Sequence, residues 1–390
     1  MPEMARQRPD VTFLAPRAAS ARLSRRALLA GFSVVGLGAL SACGKNTKMA
    51  ASPPTDGKLE SKLNLYSWGD YDNPELLDAF KSQNDILVQV DAYGSNEELV
   101  AKLSTSRGTS GYDVVVPTGS NIPQMLEHDL LQELDLSLIP NFEHMDPNFT
   151  HQYFDPDNTY SICKAWGTTG FVYNTKKIDR EMTSWQDFLD AAQKEAAGTT
   201  ALLEDPWEVS AIALAAQGFS LNTQDEGELD TARNIIVDDL APNVKAYVGN
   251  AATSMIQGSF TLLHAFNGDA RQGLTEVKDP ENWKFVFPTP SANLWMDCWS
   301  IATGAPHPDS AHAFINHMIS PDTAVDQLDY IGYPIGTKGL AEQAKKADLD
   351  QQDLIFPAQK VLDRLEPSKQ TPADQIRTKI LTDAQARSGA

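Results

Sequence analysis

From Leu63 onward the chain alternates short β-rich apolar runs with amphipathic stretches, and that alternation constrains the fold more than any other feature. Residues 63–66, 86–90 and 114–116 read as strands bounded by polar turns. Between them Asn73-Pro74 opens a helix with Leu76, Leu77 and Phe80 on one face, and Ser95 caps a second with Leu99, Val100 and Leu103 as its stripe. Residues 170–173, 260–263, 285–287 and 300–302 continue the strands, and 184–192 and 310–318 the helices. Strands and helices in alternation predict an α/β architecture with a parallel sheet and right-handed crossovers. A chain of 390 residues, 42% of them apolar, has core enough for two or three domains or one bilobal unit.

The segment before this alternation has another character. Residues 1–42 hold six Arg against Glu3 and Asp10, a net +4, which leaves 26 bases and 50 acids, or −24, to the remainder. Ser24-Arg25-Arg26 precedes an apolar run over 27–42, sixteen residues broken by Gly31, Gly36 and Gly38. A spanning helix needs about 20. A basic region, a short apolar core and small residues before a cleavage point mark an export signal, and paired arginines point to the twin-arginine route. The run ends Leu40-Ser41-Ala42-Cys43, which resembles the lipobox of bacterial lipoproteins. That resemblance implies a lipid on the Cys43 thiol, cleavage just before it, and an extracytoplasmic, membrane-anchored protein. A plain signal peptide with an incidental Cys and an uncleaved anchor are the alternatives. Small and polar residues with Pro53-Pro54 then make 43–59 a flexible tether.

The acidic balance argues against nucleic acid, whose phosphates need a basic footprint, and for a cationic or neutral partner. The His and Cys residues show no zinc spacing, and no phosphate-loop, nucleophile-elbow or H-E-x-x-H pattern occurs, so neither a metal nor a cofactor is expected. Cys163 and Cys298, 135 residues apart, read as two buried thiols, although a disulfide is permitted outside the cytoplasm. Ligands of open α/β sheets bind beyond the carboxyl ends of strands. The segments there are Ser67-Trp68-Gly69-Asp70-Tyr71, Pro117-Thr118-Gly119-Ser120-Asn121, Glu204-Asp205-Pro206-Trp207-Glu208 and Phe266-Asn267-Gly268-Asp269, with Leu294-Trp295-Met296-Asp297-Cys298 beside the strand at Ser300. Three of the five pair a Trp with an acid one or two residues away. Each Trp alone reads as core and each acid as a cap or turn. Together they suit a chain of methylenes carrying amines, which needs rings along the hydrocarbon and carboxylates at the nitrogens.

These residues resemble the spermidine/putrescine-binding proteins of bacterial ABC transporters. The specific pieces are Tyr66-Ser67-Trp68-Gly69-Asp70-Tyr71, Tyr112-Asp113-Val114-Val115-Val116-Pro117-Thr118, Asp205-Pro206-Trp207-Glu208-Val209, Trp295-Met296-Asp297 and Ile331-Gly332-Tyr333-Pro334, with Phe154-Asp155-Pro156-Asp157-Asn158 and Ala165-Trp166-Gly167 in support. The resemblance runs from about Leu63 to Tyr333 and weakens beyond. It implies a two-lobed periplasmic-binding-protein-like fold of type II, with lobe one over 60–167 and 297–341 and lobe two over 168–296 and 342–390. The chain would cross between lobes near 166–169, 294–297 and 341, and the cleft would close there by hinge motion. It further implies a polyamine ligand held by Trp68, Asp70, Tyr71, Thr118, Asp205, Glu208, Trp295, Asp297 and Tyr333, and a membrane permease as partner. Ser120, Trp207 and Phe266 depart from the family pattern, where an aromatic, an Arg and a Trp are usual, and Asp269 matches no family contact. A binding lipoprotein for a sugar, thiamine or ferric ion is the alternative, and a hydrolase using Asp205, Glu208 and Asp297 a more distant one.

Overall fold

The computed structural model describes residues 49–389. The export signal and Cys43 lie outside the described residues. Eleven strands follow in chain order: β1 (Lys62–Trp68), β2 (Leu87–Tyr93), β3 (Val114–Val115), β4 (Leu131–Gln132), β5 (Ile162–Asn174), β6 (Thr200–Leu203), β7 (Val244–Val248), β8 (Leu262–Phe266), β9 (Trp283–Val286), β10 (Ala292–Ala302) and β11 (Leu365–Pro367). Their order across the sheet is β2-β1-β3-β10-β5-β8-β6-β7, with β4 and β11 beside β10 and β9 beside β5. β1 runs parallel to β2 and β3, and β6 to β7 and β8. The middle differs from the parallel expectation, because β10 is antiparallel to β3 and β5, and β5 to β8.

Helices flank these strands on the expected signals. Asn73 Oδ1 accepts from Glu75 N at 3.0 Å, Ser95 Oγ from Glu98 N at 3.2 Å, and Ser184 and Asp187 form a reciprocal capping box. Such caps are each worth about 1 kcal/mol. One apolar core gathers Leu63, Phe80, Val115, Trp299 and Phe314, and another Phe171, Trp185, Phe188, Ile212 and Ile380. β5 and β10 serve both. The first half of β5 pairs with β10 and its second half with β8 and β9. β10 meets β11 at Ala292–Leu294 and reaches β3 and β4 through Ser300–Ala302. These two strands form a ribbon running from one core to the other.

Two expectations change here. Residues 300–302 are only the end of β10, so Trp295 and Asp297 stand within a strand rather than beside one. The tether expected over 43–59 is docked from Met49 onward. Met49 packs on the first core, Ala50 N donates to Arg107 O at 3.1 Å, and Asp309 accepts from Asp56 N at 3.0 Å and Gly57 N at 2.9 Å. Glu60 closes the segment by accepting from Ser310 N at 2.8 Å. Small, polar residues read as free linker because composition does not show that their backbone has partners elsewhere.

Candidate functional site

The β5–β10 ribbon organises the site. Side chains alternate along a strand, so Asn293, Trp295 and Asp297 share one face of β10. Trp295 pairs with Gly167 and Asp297 with Ala165 in register, which puts Gly167 and Ala165 on the same face, with Thr169 two residues beyond Gly167. Asn293 Nδ2 and Thr169 Oγ1 both donate to Glu208 Oε1, at 2.7 and 2.8 Å. The row therefore carries Glu208 at one end, Trp295 in the middle and Asp297 at the other end. Between Asp297 and Cys298 the register shifts, because Asp297 faces Ala165 and Cys298 faces Cys163, leaving Lys164 as the extra residue of a bulge. Bulges of this kind re-aim side chains.

Asp297 is buried and receives a hydroxyl on each oxygen, Thr118 Oγ1 at 2.7 Å and Tyr71 O–H at 3.0 Å. Asn96 steadies Thr118, donating to its Oγ1 and accepting from its N–H, both at 3.0 Å. Burial pushes Asp297 up to about 6, opposed by the Thr118 and Tyr71 hydroxyls and by the Lys164 charge. Lys164 is itself fully buried. It donates to Asp72 Oδ1 and to Tyr71 O, both at 2.8 Å, with its ammonium 4.4 Å from the Tyr71 ring centroid and 4.3 Å from that of Trp299. Burial holds its pKa below the usual lysine value, and Asp72 opposes that fall.

The second acid pair sits on a helix. Asp205 caps the helix Pro206–Ala216, its Oδ1 accepting from Trp207 N at 2.8 Å and Glu208 N at 2.9 Å. Glu208, one turn further, is pushed up to about 8 by burial and then by Asp205. Asp205 is half-buried, yet desolvation also raises its pKa, with Glu97 and Asp374 adding to the rise. Asp205 Oδ2 and Glu208 Oε2 accept no hydrogen bond among the described residues. Burial of Glu208 and its repulsion by Asp205 both disfavour its ionised form, and a cation beside the open oxygens would favour it.

Aromatic rings close the middle of the row. Trp295 meets Tyr333 edge-on at 4.9 Å between centroids and Phe266 at 5.7 Å, and Tyr71 meets Tyr333 at 6.4 Å. Glycines make these approaches possible. A Cβ on Gly167 would lie 2.3 Å from the Trp295 ring, and one on Gly268 2.3 Å from the Tyr333 ring. Asp269 accepts from the Tyr333 hydroxyl and from Ala251 N at 3.2 Å, and burial raises its pKa. Its partner is thus a ring of the aromatic cluster. The indole N–H of Trp295, the indole N–H of Trp207 and the Thr168 hydroxyl are buried without a hydrogen-bond partner among the described residues. Such groups are costly to leave unpaired and mark a place where a polar partner fits.

Trp68 packs on Tyr93 at 4.7 Å and donates to Val116 O at 3.1 Å, and Trp207 lies 5.7 Å from the Arg377 guanidinium. Asp70 is exposed on a turn with φ of 54°, and Ser120 is half-buried in the turn Gly119–Asn121, where it accepts from Asn121 Nδ2 at 3.3 Å. No hydrogen bond joins either to the other predicted residues. The sequence reading missed Lys164, Asp72, Thr169, Asn293 and Asn96. For Asn293 a signal existed, the period-two spacing with Trp295 and Asp297.

Residues 75–352 match the family of bacterial extracellular solute-binding proteins. The spermidine/putrescine-binding periplasmic protein of Escherichia coli K12 is 33% identical over 316 residues, covering 80% of this chain and 83% of that one. The corresponding protein 1 of Haemophilus influenzae is 32% identical over 325 residues, 83% of this chain and 88% of its own. Among solved structures, the spermidine/putrescine ABC transporter substrate-binding protein of Streptococcus pneumoniae has a TM-score of 0.72 at 32% identity, covering 84% of this chain and all (100%) of that one. A lipoprotein of Treponema pallidum gives 0.73 at 29% identity, covering 83% and 99%.

Proposed function

As the chain belongs to the bacterial extracellular solute-binding protein family, we propose that it is the extracytoplasmic binding component of an ABC importer and takes polyamines of the spermidine/putrescine class. The observation that carries this reading is the single row of Glu208, Trp295 and Asp297 along the ribbon. Ammonium groups pair with carboxylates and lie against indole faces, while methylenes fill the space between rings. A neutral sugar would leave several buried acids without a counter-charge, which is unfavourable. In this reading the protein performs no chemistry and hands its ligand to a membrane permease. Lobe one spans 60–167 and 297–341, lobe two 168–296 and 342–390, and the ribbon between them supplies the hinge. Export follows the twin-arginine route, and a lipid on Cys43 holds the mature protein at the membrane. The similar lipoprotein of Treponema pallidum supports that assignment.

The test is a calorimetric panel of diamines, triamines, thiamine and neutral sugars against the chain from residue 49. Heats confined to the amines are expected. Saturable heat from a sugar or thiamine, with none from any amine, would replace the polyamine reading.

A further inference from the structure

Asp297 has a cation of the protein's own close behind it. Lys164, the extra residue of the bulge, donates to Asp72 Oδ1 and to Tyr71 O, both at 2.8 Å, while the Tyr71 hydroxyl donates to Asp297 Oδ2 at 3.0 Å. The ammonium also lies 4.3 Å from the Trp299 ring centroid and 4.4 Å from that of Tyr71. Trp299 stands two residues beyond Asp297 on β10, and side chains two apart share a face. The row of Glu208, Trp295 and Asp297 therefore ends against a protein ammonium set beside two rings. Stability alone gives this charge little reason to be there. A buried ion pair is often matched or bettered by apolar residues of similar volume, and here Asp72 Oδ2 is buried with no hydrogen-bond partner among the described residues.

We propose that Lys164, paired with Asp72, is a positioning residue of the ligand site: it fixes Tyr71 against Asp297 and keeps Asp297 as the carboxylate that an amine pairs with. The titratable groups facing Asp297 are Cys163 and Lys164 on β5, Cys298 beside it on β10, Tyr93 on β2, Tyr71 after β1 and Tyr333 beyond the helix Ala324–Ile331. Burial raises the tyrosines and both thiols, so they stay neutral and Lys164 is the cation among them. Its charge opposes the effect of burial on Asp297, and Asp72 in turn opposes the loss of a proton from the ammonium. Two effects on a cationic ligand then pull apart. The ammonium favours an ionised Asp297, yet as a like charge it repels the arriving amine. The first effect fades once pH has risen above the range in which Asp297 takes up a proton, and the second does not, so pH separates them. That the ligand is an amine is taken from the polyamine reading; the state of Asp297 is not.

Lys164→Gln with Asp72→Asn removes both charges and keeps amide donors in their places. Wild type and this variant, each as the full chain, would be titrated with putrescine by calorimetry and melted without ligand between pH 5 and pH 8. A neighbouring opposite charge moves the titration of a carboxyl by about one to three pH units, so the ratio of variant to wild-type Kd should rise roughly tenfold from pH 8 to pH 5. The ligand-free melts carry the same signal. Asp297 holds its proton more tightly folded than unfolded, so stability from that proton is lost as pH climbs through the folded value, about 6 in wild type and higher in the variant. Relative to wild type, the variant should therefore melt a few degrees lower at pH 8 than it does at pH 5. Glu208 is common to both proteins and cancels. A merely structural pair would change both readouts equally at every pH, so a constant ratio or a constant melting gap would overturn the proposal. Lys164→Met with Asp72→Leu gives the same two readouts where the amide pair does not fold. A melting gap that widens in a protein responding to no amine would support the role of Lys164 and count against the polyamine reading instead.

Discussion

Asp297 accepts a hydroxyl on each oxygen and has lone pairs to spare, so an ammonium can join Thr118 and Tyr71 there without displacing either. Asp297→Asn keeps the shape and removes the charge. Putrescine affinity should fall roughly ten- to a hundredfold, the worth of about 1.5–3 kcal/mol for a charged hydrogen bond, and Trp295→Ala should fall comparably. Titration calorimetry that finds both variants equal to wild type would show the row to be structural only. Glu208 leads to a prediction about pH. Its folded value of about 8 lies above the value near 4.3 of an unfolded Glu, so the native state holds the proton more tightly. Stability from that proton is complete below about pH 4.3 and is lost as pH climbs toward 8. Asp297 adds a smaller loss ending near 6. The ligand-free protein should therefore melt lower at pH 8.5 than at pH 5, with Glu208→Gln flattening the upper part of that decline. Putrescine, which favours the ionised carboxylate, should bind more tightly across the same interval. A melting temperature that rises from pH 5 to 8 would contradict the assignment.

At the scale of elements, what could be read from the sequence was whatever local chemistry determines. Asn73, Ser95 and Ser184 cap helices because a short polar side chain satisfies orphan N–H groups within four residues, and that pattern is written in consecutive letters. The ribbon is not local. Over 162–169 Lys164, Gly167, Thr168 and Thr169 dilute the apolar signal, because this stretch is enclosed by distant parts of the chain rather than by its own neighbours. Lys164 was unreadable for the same reason, since its buried charge depends on Asp72, 92 residues away. The acids and aromatics of the site came from the family resemblance and the strand-end search; their arrangement in one row came from the register. That register makes a further prediction. Gly167→Ala would press a methyl into the Trp295 ring and should destabilise by about 1–3 kcal/mol as well as weaken binding. Gly249→Ala, where nothing lies within 4 Å, should do neither. Equal melting of the two variants would mean that Trp295 moves aside at little cost. The docked start of the chain belongs to this scale too. A chain beginning at residue 61 loses the bonds from Asp56 and Gly57 to Asp309 and from Ser310 to Glu60, each worth about 1 kcal/mol. It should melt a few degrees below a chain beginning at residue 49, and identical melts would show that these contacts add nothing in solution.

For the whole molecule, the docking of residues 49–60 moves the boundary between anchor and fold upstream of residue 59, where the sequence reading had put it. A free tether running to 59 would make anchoring and folding independent because nothing lay between them. In the structure the segment after Met49 is part of the first core's surface, so independence must come from upstream, where Cys43 precedes every residue that holds the segment down. The contacts named for that segment begin at Met49. Cys43→Ala should therefore leave the melting temperature and polyamine affinity of the exported chain unchanged. Its location should change. Wild type should enter the detergent phase on phase partitioning, and the variant, once freed of its leader, should stay aqueous or be shed into the medium. Two acyl chains suffice for the difference, since each buried methylene contributes about 0.8 kcal/mol whereas a single chain anchors only marginally. Wild-type protein found wholly in the aqueous phase, with a mature N-terminus elsewhere than Cys43, would leave a binder that is exported but not anchored. A Cys43→Ala chain that melts well below wild type would instead place the residues around Cys43 within the fold.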